Sequence, residues 1–364
     1  MPEPGILYTI AWFILLLTVL VFVHEWGHYI VARIFGVRVD TFSIGFGREI
    51  FGWTDKKMTR WKISWIPLGG YVKFHGDASV ISNPQAHLDK IPKEERDYSF
   101  HFKPLWQRTL IVAAGPLINL IFAFFVFIGL SLVQGEIINE PLIGTVIEGD
   151  PAYEAGLMAG DRVLEADGRQ LETYMDFRAA IIAKPEQPVS LSVLREEAVV
   201  AITVIPVADK VVTNSGEEVT GGRIGIEAAV THSPVRALVN GTRITGIALG
   251  SFFDFLRRLT QGNVSMEEVG GPVKIAQITG EQAAVGFSRF VWVLGLISIN
   301  LGLINLLPIP LLDGGHLLFY SIEAVKGRPI SAKAQEVAAM LGLAFVLTLL
   351  FVVTWNDLNL PGLG

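Results

Sequence analysis

A charge-free apolar run, Ile6–Val23, leads without a break into His24-Glu25-Trp26-Gly27-His28. A run of this length, with its polar continuation, crosses a hydrocarbon core of about 30 Å as a helix. No other open-ended backbone form satisfies its own hydrogen bonds in lipid. The chain is therefore committed to an H-E-x-x-H pattern on a membrane helix. Histidines four apart project from one helical face, so two imidazoles can share one cation.

The rest of the composition agrees with a membrane protein. Of 364 residues, 51% are hydrophobic and 18% charged, against about a quarter charged in soluble proteins. The apolar excess is concentrated in four stretches, Ile6–Val23, Leu110–Val133, Phe290–Leu312 and Val337–Val353, the last being the shortest. The first has no basic flank and no small-residue cleavage site, which sets it apart from a secretory signal. Lys and Arg crowd the connection after the first stretch and recur at Lys326, Arg328 and Lys333, whereas 1–5 and 356–364 carry none. Basic short loops stay in the cytoplasm. Both ends and the long segment between the second and third spans are thus expected outside, in the periplasm of a Gram-negative host. The absence of cysteine excludes disulfides and thiolate metal sites.

Four regions are expected. Residues 1–140 form an N-terminal membrane domain with the first two spans. Between these spans, Asp40–Gly47, Arg48–Trp53, Met58–Pro67 and Gly70–Phe74 have strand character, with alternation in Trp61–Ile66 and punctuation by Gly45, Gly47, Gly69 and Gly70. Such a sheet must lie at the interface or among helices. Ala78–Phe102 reads as loop. Residues 141–230 read as an inserted α+β domain, ordered strand, short helix, strand, helix, strand, strand. Residues 231–285 carry amphipathic helices expected on the outer membrane surface, broken at Gly270-Gly271-Pro272. Residues 286–364 hold the last two spans. The fold class is a polytopic α-helical membrane protein of four transmembrane helices, with a membrane-associated β-hairpin or sheet and the inserted domain.

His24 and His28 are candidate metal ligands, with Glu25 beside them as general base. A hydrolytic zinc site takes three protein ligands and an open position. The outstanding third candidate is Asp313, which follows the third apolar stretch in Asn305-Leu306-Leu307-Pro308-Ile309-Pro310-Leu311-Leu312-Asp313-Gly314-Gly315-His316. A carboxylate there costs several kcal/mol unless paired or liganded. The charge-derived topology independently puts His24, His28 and Asp313 at similar depth. His316 is a competing ligand, ranked here as an orienting neighbour. Asn300 and Asn305 can pair with an unwound substrate backbone or bind neighbouring helices. Pro308 and Pro310 break the helix and free carbonyls toward a cavity. Gly115 and Asn119 read as helix packing that supports the site, and Glu323 as an interfacial residue near Lys326 and Arg328 with no functional role. A helical substrate must unwind to be cut. Strand addition to Phe42–Gly47, which includes Gly45, Phe46 and Gly47, or to Ile66–Phe74 would pair its backbone. On these residues alone, a proton-coupled transporter with a His-Glu-Asp relay and a non-catalytic peptide-binding chaperone stay open beside a protease.

Asp150–Val163 is similar to the SPAxxAGLxxGDxI signature of PDZ domains, and Arg223, Ile224, Gly225 and Ile226 resemble the carboxylate-binding loop of their permuted bacterial type. Together with H-E-W-G-H, Gly115-Pro116-Leu117-Ile118-Asn119, Gly270-Gly271-Pro272 and N-x-x-P-x-P-x-x-D-G, nearly the whole chain resembles the site-2 protease family of intramembrane zinc proteases, most closely its regulator-of-sigma-E branch. The resemblance implies zinc held by His24, His28 and Asp313 and a catalytic Glu25. It implies a bacterial inner-membrane enzyme that cuts single-span membrane proteins, of the anti-sigma-factor type or signal-peptide remnants. Such substrates are first shortened by a site-1-type protease. The lipid bilayer is the other partner, and no nucleic acid is expected. Some relatives carry two PDZ domains; this chain shows one.

Overall fold

The computed structural model describes residues 4–76, 91–212, 218–265 and 270–359. Four helices in it are long and apolar enough to cross a membrane: α1 (Ile6–Ile34), α2 (Leu105–Gln134), α7 (Phe287–Leu306) and α9, whose span covers Ala332–Leu358. The third is shorter than its apolar stretch suggests, because Leu307 leaves helical dihedrals ahead of Pro308. Two compact units result, one of Met1–Leu130 with Asn240–Gly364, the other of Ser131–Val239.

In the first unit, small residues let helices touch backbone to backbone, as membrane packing favours. A Cβ on Gly27 of α1 would stand 2.4 Å from the Ala114 carbonyl of α2, and one on Gly302 of α7 would stand 2.8 Å from that of Pro116. Leu16 and Leu20 of α1 bury against Phe290, Val293 and Leu294 of α7 and Ala283 of α6 (Pro272–Val285). The apolar side of α5 (Pro234–Thr260), carrying Ile244, Ala248, Leu249, Phe252 and Leu256, joins a cluster with Ala123 and Phe127 of α2 and Ile299 and Leu303 of α7. The buried Asp357 of α9 accepts the N–H groups of Gly271, Val273 and Lys274, so a carboxylate from the last helix caps α6 where Gly270-Gly271-Pro272 begins it.

The four strand-like segments are two strands, β1 (Val39–Thr54) and β2 (Arg60–Phe74), each sharply bent. Gly45, Gly47 and Gly69 stand at φ +86°, +88° and +101°, where L-residues are strained, and supply the bends. The hairpin folds back on itself. Glu49–Thr54 pairs with Arg60–Ser64, which pairs with Thr41–Ile44, which pairs with Gly70–Lys73. Thr41–Ile44 is therefore internal and offers no edge, contrary to one of the two expected places for strand addition. Gly70–Phe74 is the outer member, lying along α1, where a Cβ on Gly70 would meet Val21 and Glu25. The loop expected over Ala78–Phe102 lies partly outside the described residues; its described part holds two 3-10 turns, Lys93–Tyr98 and Phe100–Phe102.

The second unit is a small α+β fold whose strand pairs are antiparallel. Its β-branched runs form β7 (Val189–Arg195) and β8 (Ala198–Val204), in the four-stranded order β6-β5-β7-β8 with β5 (Arg162–Ala166) and β6 (Arg169–Gln170). α4 (Tyr174–Ile182) is opened by a capping box between Thr173 and Asp176 and buries Phe177 and Ile181 on the core. β11 (Ile226–Ala228) pairs with β4 (Ile143–Val146). The buried Asp161 grips Arg195 at 2.6 and 2.7 Å and the Met158 N–H at 2.9 Å, which gives the Gly160-Asp161 dipeptide a structural task.

Candidate metal centre

α1 continues past its apolar run to Ile34, so His24 and His28 share one face of an unbroken helix. Asp313 is the first residue of α8 (Asp313–Lys326). The turn that precedes it carries Leu311 at φ +81°, a strained conformation for a branched side chain. Gly314 and Gly315 let α8 start beneath that turn: a Cβ on Gly314 would stand 2.1 Å from the Leu307 carbonyl, and one on Gly315 2.5 Å from that of Ile309.

These segments converge. His24 Nε2 lies 3.1 Å and His28 Nε2 3.5 Å from the Asp313 carboxylate oxygens, and the two Nε2 atoms are 3.3 Å apart. Ligands about 2.0–2.1 Å from a tetrahedral zinc are separated by about 3.3 Å. His24 meets one Asp313 oxygen and His28 the other, and one ligand atom from each of the three residues lies within 4.8 Å of the others, a grouping among the described residues that a single zinc ion fits. Glu25 lines the same cavity, of about 580 Å³, together with Tyr71, Val72, Asn305, Leu311, Leu312 and His316. The Val72 backbone is hydrogen-bonded to the Glu25 carboxyl.

α2 carries no metal ligand yet shapes the centre. Its Ile111 carbonyl accepts from His28 Nδ1 at 2.9 Å. Pro116 leaves the Val112 carbonyl, beside Ile111, without its helical donor. Gly115 makes room for the His28 ring, since a Cβ there would stand 2.2 Å from Nε2. The Asn119 side-chain amide lies 3.3 Å from His24 Nδ1. Arg108, also on α2, pairs with Glu323 of α8 at 2.6 Å and covers the Tyr320 ring, and all three line the cavity. Glu323, expected to have no functional role, is therefore engaged with α2 and lines the cavity.

The other expected site residues divide. Asn305 reaches the cavity, whereas Asn300 is exposed on the outside of α7. Pro308 is exposed, and Pro310 packs on Gly342 of α9; the cavity is lined instead by the next residues, Leu311 and Leu312. Gly45, Phe46 and Gly47 form the bend of β1 and do not line it; the Phe46 ring stacks on Tyr71, which does. In the second unit, Arg223, Ile224, Gly225 and Ile226 line a smaller cavity of about 190 Å³ with Tyr174, Phe177 and Ile181 of α4. Arg223 is held there by Asp150 and Asp209, both at 2.8 Å. The Lys210 N–H and Arg223 keep the Asp209 carboxyl below the usual carboxylate range.

A helix-borne His-Glu-His set closed by a distant aspartate, in a polytopic membrane protein, defines an intramembrane metallohydrolase. The model of the family described as peptidase family M50 matches residues 12–349, and the chain belongs to that family. A protein of Rhizobium meliloti named as a zinc metalloprotease is 40% identical over 361 residues, covering 97% of this chain and 96% of its own. One of Agrobacterium fabrum is 40% identical over 356 residues, covering 95% and 94%. Metalloprotease MmpA of Caulobacter vibrioides is 35% identical over 384 residues, covering 98% and 96%. A solved PDZ domain from Listeria monocytogenes aligns with 24% of this chain and 85% of its own at 21% identity, with a TM-score of 0.20, too low to define a shared fold. The protein is a multi-pass membrane zinc metalloprotease, and the transporter reading falls.

Proposed function

We propose that the protein cuts a peptide bond in or near the transmembrane segment of single-span membrane proteins, with His24, His28 and Asp313 holding zinc and Glu25 moving the proton. The observation that carries this is the convergence of three side chains from α1 and α8, His24 and His28 3.3 Å apart and 3.1 and 3.5 Å from the two Asp313 oxygens. When bound there, zinc supplies Lewis acidity that polarises a carbonyl and acidifies water. Glu25, next to His24 on α1, takes a proton from the attacking water and delivers it to the leaving nitrogen. Gly70–Phe74 is the strand nearest Glu25. Its outer edge suits an unwound substrate segment that adds as a further strand, with Asn305 as a side-chain partner.

The site's place among apolar helices supports this substrate class, and the regulator-of-sigma-E resemblance points to anti-sigma-type proteins already shortened by a site-1-type protease. The basic loops favour an inner-membrane orientation with both ends and Ser131–Val239 on the periplasmic side. That unit reads as a PDZ-like domain whose groove lies between α4 and β11. Ile224, Ile226, Phe177 and Ile181 suit an apolar terminal side chain. Because Arg223 is tied to two aspartates, a terminal carboxylate there would be met by backbone N–H groups.

Replacing Glu25 by Gln keeps the metal ligands and removes the base. In purified enzyme acting on a reconstituted single-span substrate, Glu25→Gln is expected to cut about 10²–10⁴-fold more slowly with the parent's zinc content. Cleavage at the parental rate would overturn the assignment.

A further inference from the structure

A ring that offers a metal its Nε2 lone pair carries its hydrogen on Nδ1 and needs an acceptor there. His28 has a permanent one, the Ile111 backbone carbonyl at 2.9 Å, which can only accept. His24 faces a different kind of partner: its Nδ1 lies 3.3 Å from the side-chain amide of the fully buried Asn119. An amide presents a donor or an acceptor, according to a half-turn of its terminal torsion.

The two settings correspond to two tautomers. With Nδ2 toward His24, the amide donates to Nδ1 and the ring hydrogen sits on Nε2, where it meets Asp313 Oδ2 at 3.1 Å. With Oδ1 toward His24, the amide accepts from Nδ1–H and Nε2 presents a lone pair. Asn119 Oδ1 has no partner among the described residues, so the turn breaks no other bond of that oxygen. The backbone beneath is fixed. Ser298 Oγ donates to the Asn119 carbonyl at 2.9 Å, and a Cβ on Gly302 would stand 3.3 Å from the Asn119 Cβ. The freedom is therefore confined to the amide.

We propose that Asn119 is the positioning residue of His24, turning its carbonyl oxygen to Nδ1–H when the site takes its metal and so selecting the tautomer that can ligate. His28 is locked in that tautomer, and His24 is set by Asn119. The inference rests on His24, His28 and Asp313 forming the zinc site.

The test is zinc affinity of the full-length protein in detergent, measured by competition with a calibrated chelator. Asn119→Ala removes the acceptor and is expected to weaken binding about 10–100-fold. Asn119→Asp is nearly isosteric, keeps an acceptor toward Nδ1, and is expected to bind close to the parent. Parental affinity in Asn119→Ala overturns the proposal. So does an equal loss in Asn119→Ala and Asn119→Asp, which marks a packing role. Failure of the parent to bind zinc would instead overturn the site assignment beneath it.

Discussion

Gly115 has no chemistry of its own, yet the centre depends on it. A Cβ there would stand 2.2 Å from His28 Nε2, the atom that faces Asp313. The ring cannot retreat without giving up the Ile111 carbonyl at 2.9 Å. Gly115→Ala is thus expected to weaken zinc binding by at least about tenfold, or about 1.4 kcal/mol, as read by metal content after dialysis against a chelator. Ala at Gly129 of the same helix, where a Cβ meets nothing, should leave it unchanged. The residues proposed to hold the metal stood out as a pattern: two histidines a turn apart, and a lone carboxylate beside an apolar stretch. Asn119 and Gly115 were legible only as helix packing that supports the site. In an apolar helix an asparagine that orients an imidazole and one that binds a neighbouring helix look the same, and a glycine's value lies in what approaches it.

Among the elements, α2 acts as the template. It meets α1 through Gly27, Ile111, Gly115 and Asn119, and it meets α8 through Arg108 and Glu323. The two ligand-bearing helices are thus referenced to a helix that contributes no ligand. Arg108 and Glu323 are both largely sheltered, at 15% and 16% side-chain exposure, so removing one partner strands the other's charge. Arg108→Glu and Glu323→Arg are each expected to lower zinc affinity. The double swap should recover part of it, with a coupling of about 0.5–3 kcal/mol. A cycle in which the losses simply add would show that the pair does not hold α8. The strand segments were readable from their alternation and glycines. Their order was not, because the internal position of Thr41–Ile44 follows from bends at Gly45 and Gly69 that decide which neighbour each segment meets. Glu323 was underrated for the same reason: its partner, Arg108, comes from another helix and no local spacing announces it.

At the scale of the molecule, the centre joins the beginning of the chain to a segment near its end, with Ser131–Val239 inserted between them. Four apolar stretches and a composition change announce that division. The meeting of α1 with α8 is announced only indirectly, by two titratable groups at one depth that each need a partner. A cation held by His24, His28 and Asp313 therefore cross-links α1 to α8. Anything that binds only the folded state stabilises it by mass action, about 2.7 kcal/mol when the free ligand is a hundredfold above its dissociation constant. Stripping zinc should accordingly lower the thermal midpoint of the detergent-solubilised protein by several degrees. In Asp313→Asn the chelator should produce no further drop, since the cross-link is already missing. Because every ligand lies in the first unit, amide exchange should quicken around His24 and Asp313 while β7 and α4 of the second unit keep their protection. Equal loosening of both units would mean that the ion acts on something other than the α1–α8 junction.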